Sequence, residues 1–451
     1  MDKFVIRGGN PLVGTVRVSG AKNSALPCMA AAILTEDEVT LENIPHVRDI
    51  ETERRLLASM GAQVELHAVV SPDPYPSSAW DGETHEHTAI RCRNLSDPVA
   101  RYEIVKTMRA SSLVLGPLIA RFGAARVAMP GGCAIGGRPI DLHIKGLEKM
   151  GAAIIQEHGY LEARAPRLHG AHIVFDKITV TGTEDLLMAA VLADGETLME
   201  NCAREPEVVD LAAFLTAMGA EIDGAGTSAI RVRGVSVLHG ARYRINPDRI
   251  EAGTFLIAGA ITGGDLTVSN CDPAHLGAAI AKLREAGALV DILGPDSVRV
   301  RAQSPLRAAD ISTEEYPGFP TDMQAQYMAL ATQAEGVSQI RENIFENRFM
   351  HVQELVRMGA NIKVDGNSAT VRGPARLSAA AVMCSDLRAS ASLVLAALVA
   401  EGESIVDRVY HMDRGYERFE EKLRGVGAEI QRMGNVFAPR EEKPVPLGQP
   451  G

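Results

Sequence analysis

One pattern recurs six times along the 451 residues: a helix-like stretch closed by Gly-Ala, then a short apolar strand. The copies read LLASMGAQVEL, GLEKMGAAII, FLTAMGAEID, KLREAGALVDI, LVRMGANIKV and KLRGVGAEIQ. Their glycines are Gly61, Gly151, Gly219, Gly287, Gly359 and Gly427, spaced by 90, 68, 68, 72 and 68 residues. Glycine closes a helix in the left-handed conformation, and an extended segment can begin directly after it. Ahead of each amphipathic helix lies a second, more apolar and Ala-rich segment, such as SALPCMAAAIL, LLMAAVLADG or ASASLVLAALVAEG, followed by a strand such as VTLENI or ESIVDRV. One unit is therefore buried helix, strand, amphipathic helix, glycine, strand. Recurrence of supersecondary units at near-constant spacing predicts a repeat architecture, and 451 residues predict two or three domains.

The long first interval predicts an inserted hairpin or loop near residues 67–88, where Pro, Ser and the single Trp, Trp80, gather. His85 and His87 could share a strand face, but two histidines without a third ligand read as solvated strand residues and not a metal site. A net charge of −11 argues against broad attraction to nucleic acid and leaves room for a local anion pocket. The six cysteines form no CxxC pair, the start lacks an apolar signal core, and no run nears the ~18 apolar residues of a membrane span. The expectation is a cytoplasmic protein with reduced thiols, free of metal and cofactor, with a flexible tail at 441–451.

Four stretches depart from the structural repeat. VSGAKNSALP puts Lys22 and Asn23 before an apolar helix; Asn or Ser could cap it, but a lysine there opposes the helix dipole unless an anion binds. PGGCAIGGRPIDLH sets Cys133 between glycine pairs, with Arg138 five residues on, which argues for an exposed loop carrying a thiol whose anion a nearby cation favours. Upstream, Arg109 stands beside another apolar helix start. FPTDMQAQ places Asp322 before a third apolar helix, where a simple N-cap also fits, and Arg348 lies downstream. SDLRASASL and YHMDRGYERF add Arg388 and Arg414. Five cations near helix starts in equivalent parts of different repeats predict a multi-point anion site between two lobes. No Walker loop and no dinucleotide fingerprint after a strand is present. From the residues alone, an anion-binding repeat scaffold without catalysis remains the other reading.

Together SGAKNSALP, PGGCAIGGRPIDLH, AREPEVVDL, PDRIEAGTF, FPTDMQAQ, IFENRFMHV, SDLRAS and HMDRGYER resemble the motifs of the enolpyruvyl transferase family, in order and over nearly the whole chain. The resemblance implies an α/β, two-lobed inside-out barrel of six βαβαββ repeats, three per lobe. It implies one lobe at 22–246, carrying a mobile Cys loop, and the other at 1–21 plus 247–440. It implies transfer of the enolpyruvyl group of phosphoenolpyruvate to the 3-hydroxyl of UDP-N-acetylglucosamine, with release of phosphate, at the first committed step of peptidoglycan synthesis. Shikimate 3-phosphate is the rival acceptor, against which the Cys loop and RPIDLH count.

By the same resemblance, Lys22, Arg138 and Arg414 hold the phosphate and carboxylate of phosphoenolpyruvate, Arg388 joins them, and Arg109 orders the site. Asn23 and Asp322 contact the sugar, with Asp322 as proton acceptor, and Ile344 and Arg348 complete that side. Pro139, Ile140, Asp141, Leu142 and His143, with Lys177, Thr179, Val180 and Thr181, resemble the uridine-nucleotide site; Thr181 stands where some relatives have glycine. Cys133 would be the thiol that bonds to phosphoenolpyruvate and is alkylated by the epoxide antibiotic fosfomycin.

Overall fold

The computed structural model describes residues 2–67, 87–129, 140–302 and 305–434. Cys133, Arg138 and Pro139, with Trp80 and His85 and the tail expected at 441–451, lie outside the described residues. Among the described residues six four-stranded sheets share one spatial strand order. In the unit spanning residues 172–233, His172–Val174 pairs in parallel with Glu196–Glu200. Ala229–Arg233 then runs antiparallel to both Glu196–Glu200 and Glu221–Asp223. The buried helix Val180–Ala190 and the amphipathic helix Pro206–Ala217 link the strands. This is the βαβαββ unit that the sixfold pattern predicts.

The closing glycines explain the regular spacing. All six adopt φ between 93° and 107°. In each copy the amide of the alanine after the glycine donates to the carbonyl of a leucine five residues back, at 3.0 Å: Ala62 to Leu57, Ala152 to Leu147, Ala220 to Leu215, Ala288 to Leu283, Ala360 to Leu355 and Ala428 to Leu423. That bond gives a carbonyl of the last helical turn a donor from beyond the helix end, and each of the six leucines is buried.

Two departures from a simple linear array position the site. The strand Lys3–Arg7, at the start of the chain, supplies the fourth strand of the last unit, pairing with Glu403–Asp407 and Glu429–Met433. The strands Val13–Arg17 and Arg242–Arg244 are exchanged: the first pairs with Asp265–Ser269 and the second with Glu38–Glu42. The chain therefore crosses twice, at Gly20 and Pro247, which bridge each other. Gly20 is required there, since a Cβ would come within 1.6 Å of the Asn43 carbonyl oxygen. On either side lie two separate hydrophobic cores. One takes residues from Phe4–Val18 and Ile250–Ile430, the other from Ala25 to Ile245.

The extra length of the first interval falls between the third and fourth strands of its unit. Gln63–His67 and His87–Arg91 pair antiparallel with His67 opposite His87, and their rings stack at 4.9 Å. Among the described residues no group of three His, Cys, Asp or Glu side chains could hold a metal ion, and no helix is long and apolar enough to cross a membrane.

Candidate active site

The helix Lys22–Ala31 begins without a side-chain cap, so neither Asn23 nor Ser24 fills the role that the sequence left open. Lys22 is 8% exposed, and its Nζ lies 3.1 Å from Oδ2 of Asp49, in the first turn of the helix Arg48–Ser59. From the other core, Nε of Arg414 reaches Asp49 Oδ1 at 3.0 Å and Nη2 reaches Oδ2 at 3.4 Å. One carboxylate thus joins a lysine and an arginine across the two halves. Burial, the larger influence, pushes the Lys22 ammonium down, with Arg388 and Arg414 adding to it, against the pull of Asp49. Burial alone would raise Asp49, but Lys22 and Arg414 outweigh it and hold the carboxyl below its usual range.

Asp322 does not cap a helix. It sits inside the short turn Thr321–Met323, with Pro320 ahead of it and no side-chain cap. Its Oδ1 accepts from Nη2 of Arg348 at 2.7 Å, and Oδ2 accepts from Nε and Nη2 of Arg388 at 3.1 and 2.9 Å. Arg388 is the second residue of the helix Leu387–Val399, whose true cap is Asp386, accepting the Arg388 and Ala389 amides. The Arg388 guanidinium also lies 5.3 Å from the centre of the Tyr416 ring, which fixes its tilt. The paired arginine forks suit planar, charge-rich ligands better than lysine would.

The predicted nucleotide stretches converge. Ile140 is buried just before the helix Asp141–Lys149, Asp141 is exposed and Leu142 is partly covered. Buried His143 places Nδ1 2.9 Å from Asp185 Oδ2 and Nε2 3.2 Å from Thr181 Oγ1. Asp185 is held in turn by the Gly116 amide at 2.7 Å. Thr179 caps the helix Val180–Ala190 by accepting from the Gly182 amide, and Lys177 stays exposed beside it. Ile344, partly buried, donates its amide to Glu342. Arg109 begins the turn Arg109–Val114, which packs on the helix Lys22–Ala31.

One placement corrects the sequence reading. Arg414 does not start a helix; it ends the short turn Val409–Arg414, and the next helix, Phe419–Gly425, begins five residues later. Gly415, with an extended φ of −156°, breaks the turn, so the guanidinium points from a C-terminal end, where a cation suits the helix dipole. Asp49, Asp185 and Glu53 went unread in the sequence. The available signal was two acids at i and i+4, Asp49 and Glu53, on the same face as Ile50, Leu56 and Leu57; a carboxylate on an apolar stripe rarely stays unpaired.

The comparisons follow this geometry. The family described as EPSP synthase (3-phosphoshikimate 1-carboxyvinyltransferase) matches residues 6–423. A UDP-N-acetylglucosamine 1-carboxyvinyltransferase from Acidobacterium capsulatum is 76% identical over 98% of both chains. Another of that name, from Koribacter versatilis, is 69% identical over 99% of both. Among solved structures, the enolpyruvyl transferase NikO from Streptomyces tendae superposes with a TM-score of 0.82 at 26% identity, covering 96% of this chain and 98% of its own. EPSP synthase from Acinetobacter baumannii shares the fold, with a TM-score of 0.72 at 18% identity over 96% and 100%. On this evidence, the chain belongs to the enolpyruvyl transferase family.

Proposed function

We infer that this enzyme transfers the enolpyruvyl group of phosphoenolpyruvate to the 3-hydroxyl of UDP-N-acetylglucosamine, releasing phosphate, as the first committed step of peptidoglycan synthesis. The observation that carries the reading is the array of Lys22, Arg348, Arg388 and Arg414 around two carboxylates, Asp49 and Asp322, drawn from both cores. The near-full-length relatives named for this reaction support the choice of acceptor.

The chemistry is addition followed by elimination. A proton adds to C3 of phosphoenolpyruvate and positive character grows at C2. The sugar 3-hydroxyl attacks C2 as its proton passes to Asp322. Loss of a C3 proton then expels phosphate and restores the enol ether. Lys22, Arg138 and Arg414, joined by Arg388, stabilise the phosphate and carboxylate; one such preorganised donor is worth ~3–4 kcal/mol of barrier. Asn23, Ile344 and Arg348 flank the sugar. Pro139 to His143, Lys177 and Thr179 to Thr181 form the nucleotide side, where the His143–Thr181 contact ties the two stretches together. Cys133 serves the phosphoenolpyruvate side. The lobes are taken as 22–246 and 1–21 with 247–440, a division that the two hydrophobic cores support. Their closure would exclude water from the reacting atoms.

The test is phosphate release from phosphoenolpyruvate with either acceptor. Release with UDP-N-acetylglucosamine and none with shikimate 3-phosphate is expected. The reverse would transfer the reaction to the other acceptor, and no release with either would leave an anion-binding scaffold.

A further inference from the structure

The helix Arg48–Ser59 turns a second acid toward its buried face. Glu53 lies one turn beyond Asp49, is 1% exposed, and neither carboxyl oxygen has a hydrogen-bond partner among the described residues. Side chains four apart on a helix are neighbours. An unpaired carboxylate is costly to bury, whereas a neutral acid is tolerated. The charge of the Asp49 cluster therefore depends on whether Glu53 holds its proton. With Glu53 neutral, Lys22, Arg414 and Asp49 sum to one positive charge; with Glu53 ionised they sum to none.

We propose that Glu53 is a positioning residue for phosphoenolpyruvate that works as a neutral acid, keeping the Asp49–Lys22–Arg414 cluster net positive and open to an anion. Burial, and behind it the Asp49 charge, push its carboxyl up to about 8. The groups on packed elements are few. Lys22 and Cys28 come from the helix Lys22–Ala31, and Tyr410, His411, Asp413 and Arg414 come from the turn Val409–Arg414. Tyr102 and Glu103 come from the helix Tyr102–Val105, and Glu65 and His67 are exposed on the strand that follows. Of these and its own helix, Asp49 is the charge that bears on Glu53. Lys22 and Arg414 are spent on Asp49, so among the described residues no cation offsets a second negative charge one turn away. Ionised Glu53 would cancel the net positive charge of the cluster and so weaken its attraction for a multiply charged phosphate.

The inference rests on the reading of phosphoenolpyruvate as the ligand, and the assay separates the two. The KM for phosphoenolpyruvate is measured from pH 6.5 to 9.5 at saturating UDP-N-acetylglucosamine, in wild type and in Glu53→Gln. If only the protonated acid supports binding, the wild-type KM rises roughly tenfold between pH 7 and pH 9. Glu53→Gln keeps the low KM and flattens that rise, while the KM for the sugar nucleotide is unchanged in both. If the Gln variant melts too low to assay, Glu53→Leu, which also suits the apolar surroundings, reads the same flat profile. A wild-type KM independent of pH, or a rise that persists in the variants, overturns the proposal. Absence of any phosphoenolpyruvate-dependent turnover at pH 7 in wild type would instead overturn the ligand assignment.

Discussion

Replacing Asp322 by Asn separates catalysis from scaffolding, because the structure sets the scaffolding cost. The change removes one negative charge and leaves a single amide oxygen where two guanidiniums now share a carboxylate. The amide NH2 then faces an arginine, donor against donor. Breaking a buried ion pair costs ~3–5 kcal/mol. The arginine side chains are 5% exposed but Asp322 is 27% exposed, so water recovers part of that loss. About 1–3 kcal/mol remains, a fall of roughly 2–10 °C in Tm for a cooperative unit of this size. Loss of the proton acceptor acts separately and should cut kcat by ~10²-fold or more in enzyme that is still folded. Phosphate release at 25 °C, well below the lowered Tm, measures kcat, and thermal melting measures the structural cost. Near-normal turnover in folded Asp322→Asn would refute the proton-acceptor role. An unchanged Tm would refute the claim that this carboxylate holds the two arginines.

Other outcomes follow from the same geometry. Arg414→Lys keeps the charge but loses the two-pronged hold on Asp49, so the KM for phosphoenolpyruvate should rise while that for the sugar nucleotide stays; equal loss for both ligands would point to a damaged fold. Glu53 ionises near 4.3 in the unfolded chain and at about 8 in the folded one, so the folded state binds more protons between those values and stability falls as pH rises through that window. Glu53→Gln should therefore melt higher than wild type at pH 7, by up to ~3 kcal/mol, with no such advantage at pH 4; equal Tm values at both would contradict this. Burial pushes the Cys28 thiol far up, Cys92 and Cys384 up to about 12, and Cys202 and Cys271 up to about 11. Fosfomycin should accordingly leave one adduct, on the Cys133 peptide, and Cys133→Asp should retain turnover yet resist the drug; an adduct elsewhere by mass spectrometry counts against this. Gly287→Ala meets only the left-handed strain, about 1 kcal/mol, whereas Gly61→Ala also drives a Cβ to 2.6 Å from the Asn94 carbonyl oxygen and should lower Tm further.

The sequence by itself determined the repeat and its joints. A glycine that must turn left-handed, a leucine five residues before the alanine that follows it, and an apolar helix ahead of each strand are local demands, met within a dozen residues. They remain legible because hydrogen bonding and packing within one unit satisfy them. The cations were also legible, as charges set where a helix dipole or an apolar stretch gives them no partner. Sequence spacing could not assign those partners. Whether Asp322 capped a helix or joined Arg348 and Arg388 depended on a later loop of its own unit and on the next unit folding against its turn. Asp49 looked like an ordinary acid in a first helical turn, yet it meets Arg414 from 365 residues away. The exchange of Val13–Arg17 with Arg242–Arg244 likewise left no local mark, since either strand would satisfy the pairing pattern of its own neighbourhood. Only the tertiary structure, which brings the two cores together at the Gly20 and Pro247 crossings, decided which charges face one another, because electrostatic pairing depends on distance in space and not along the chain.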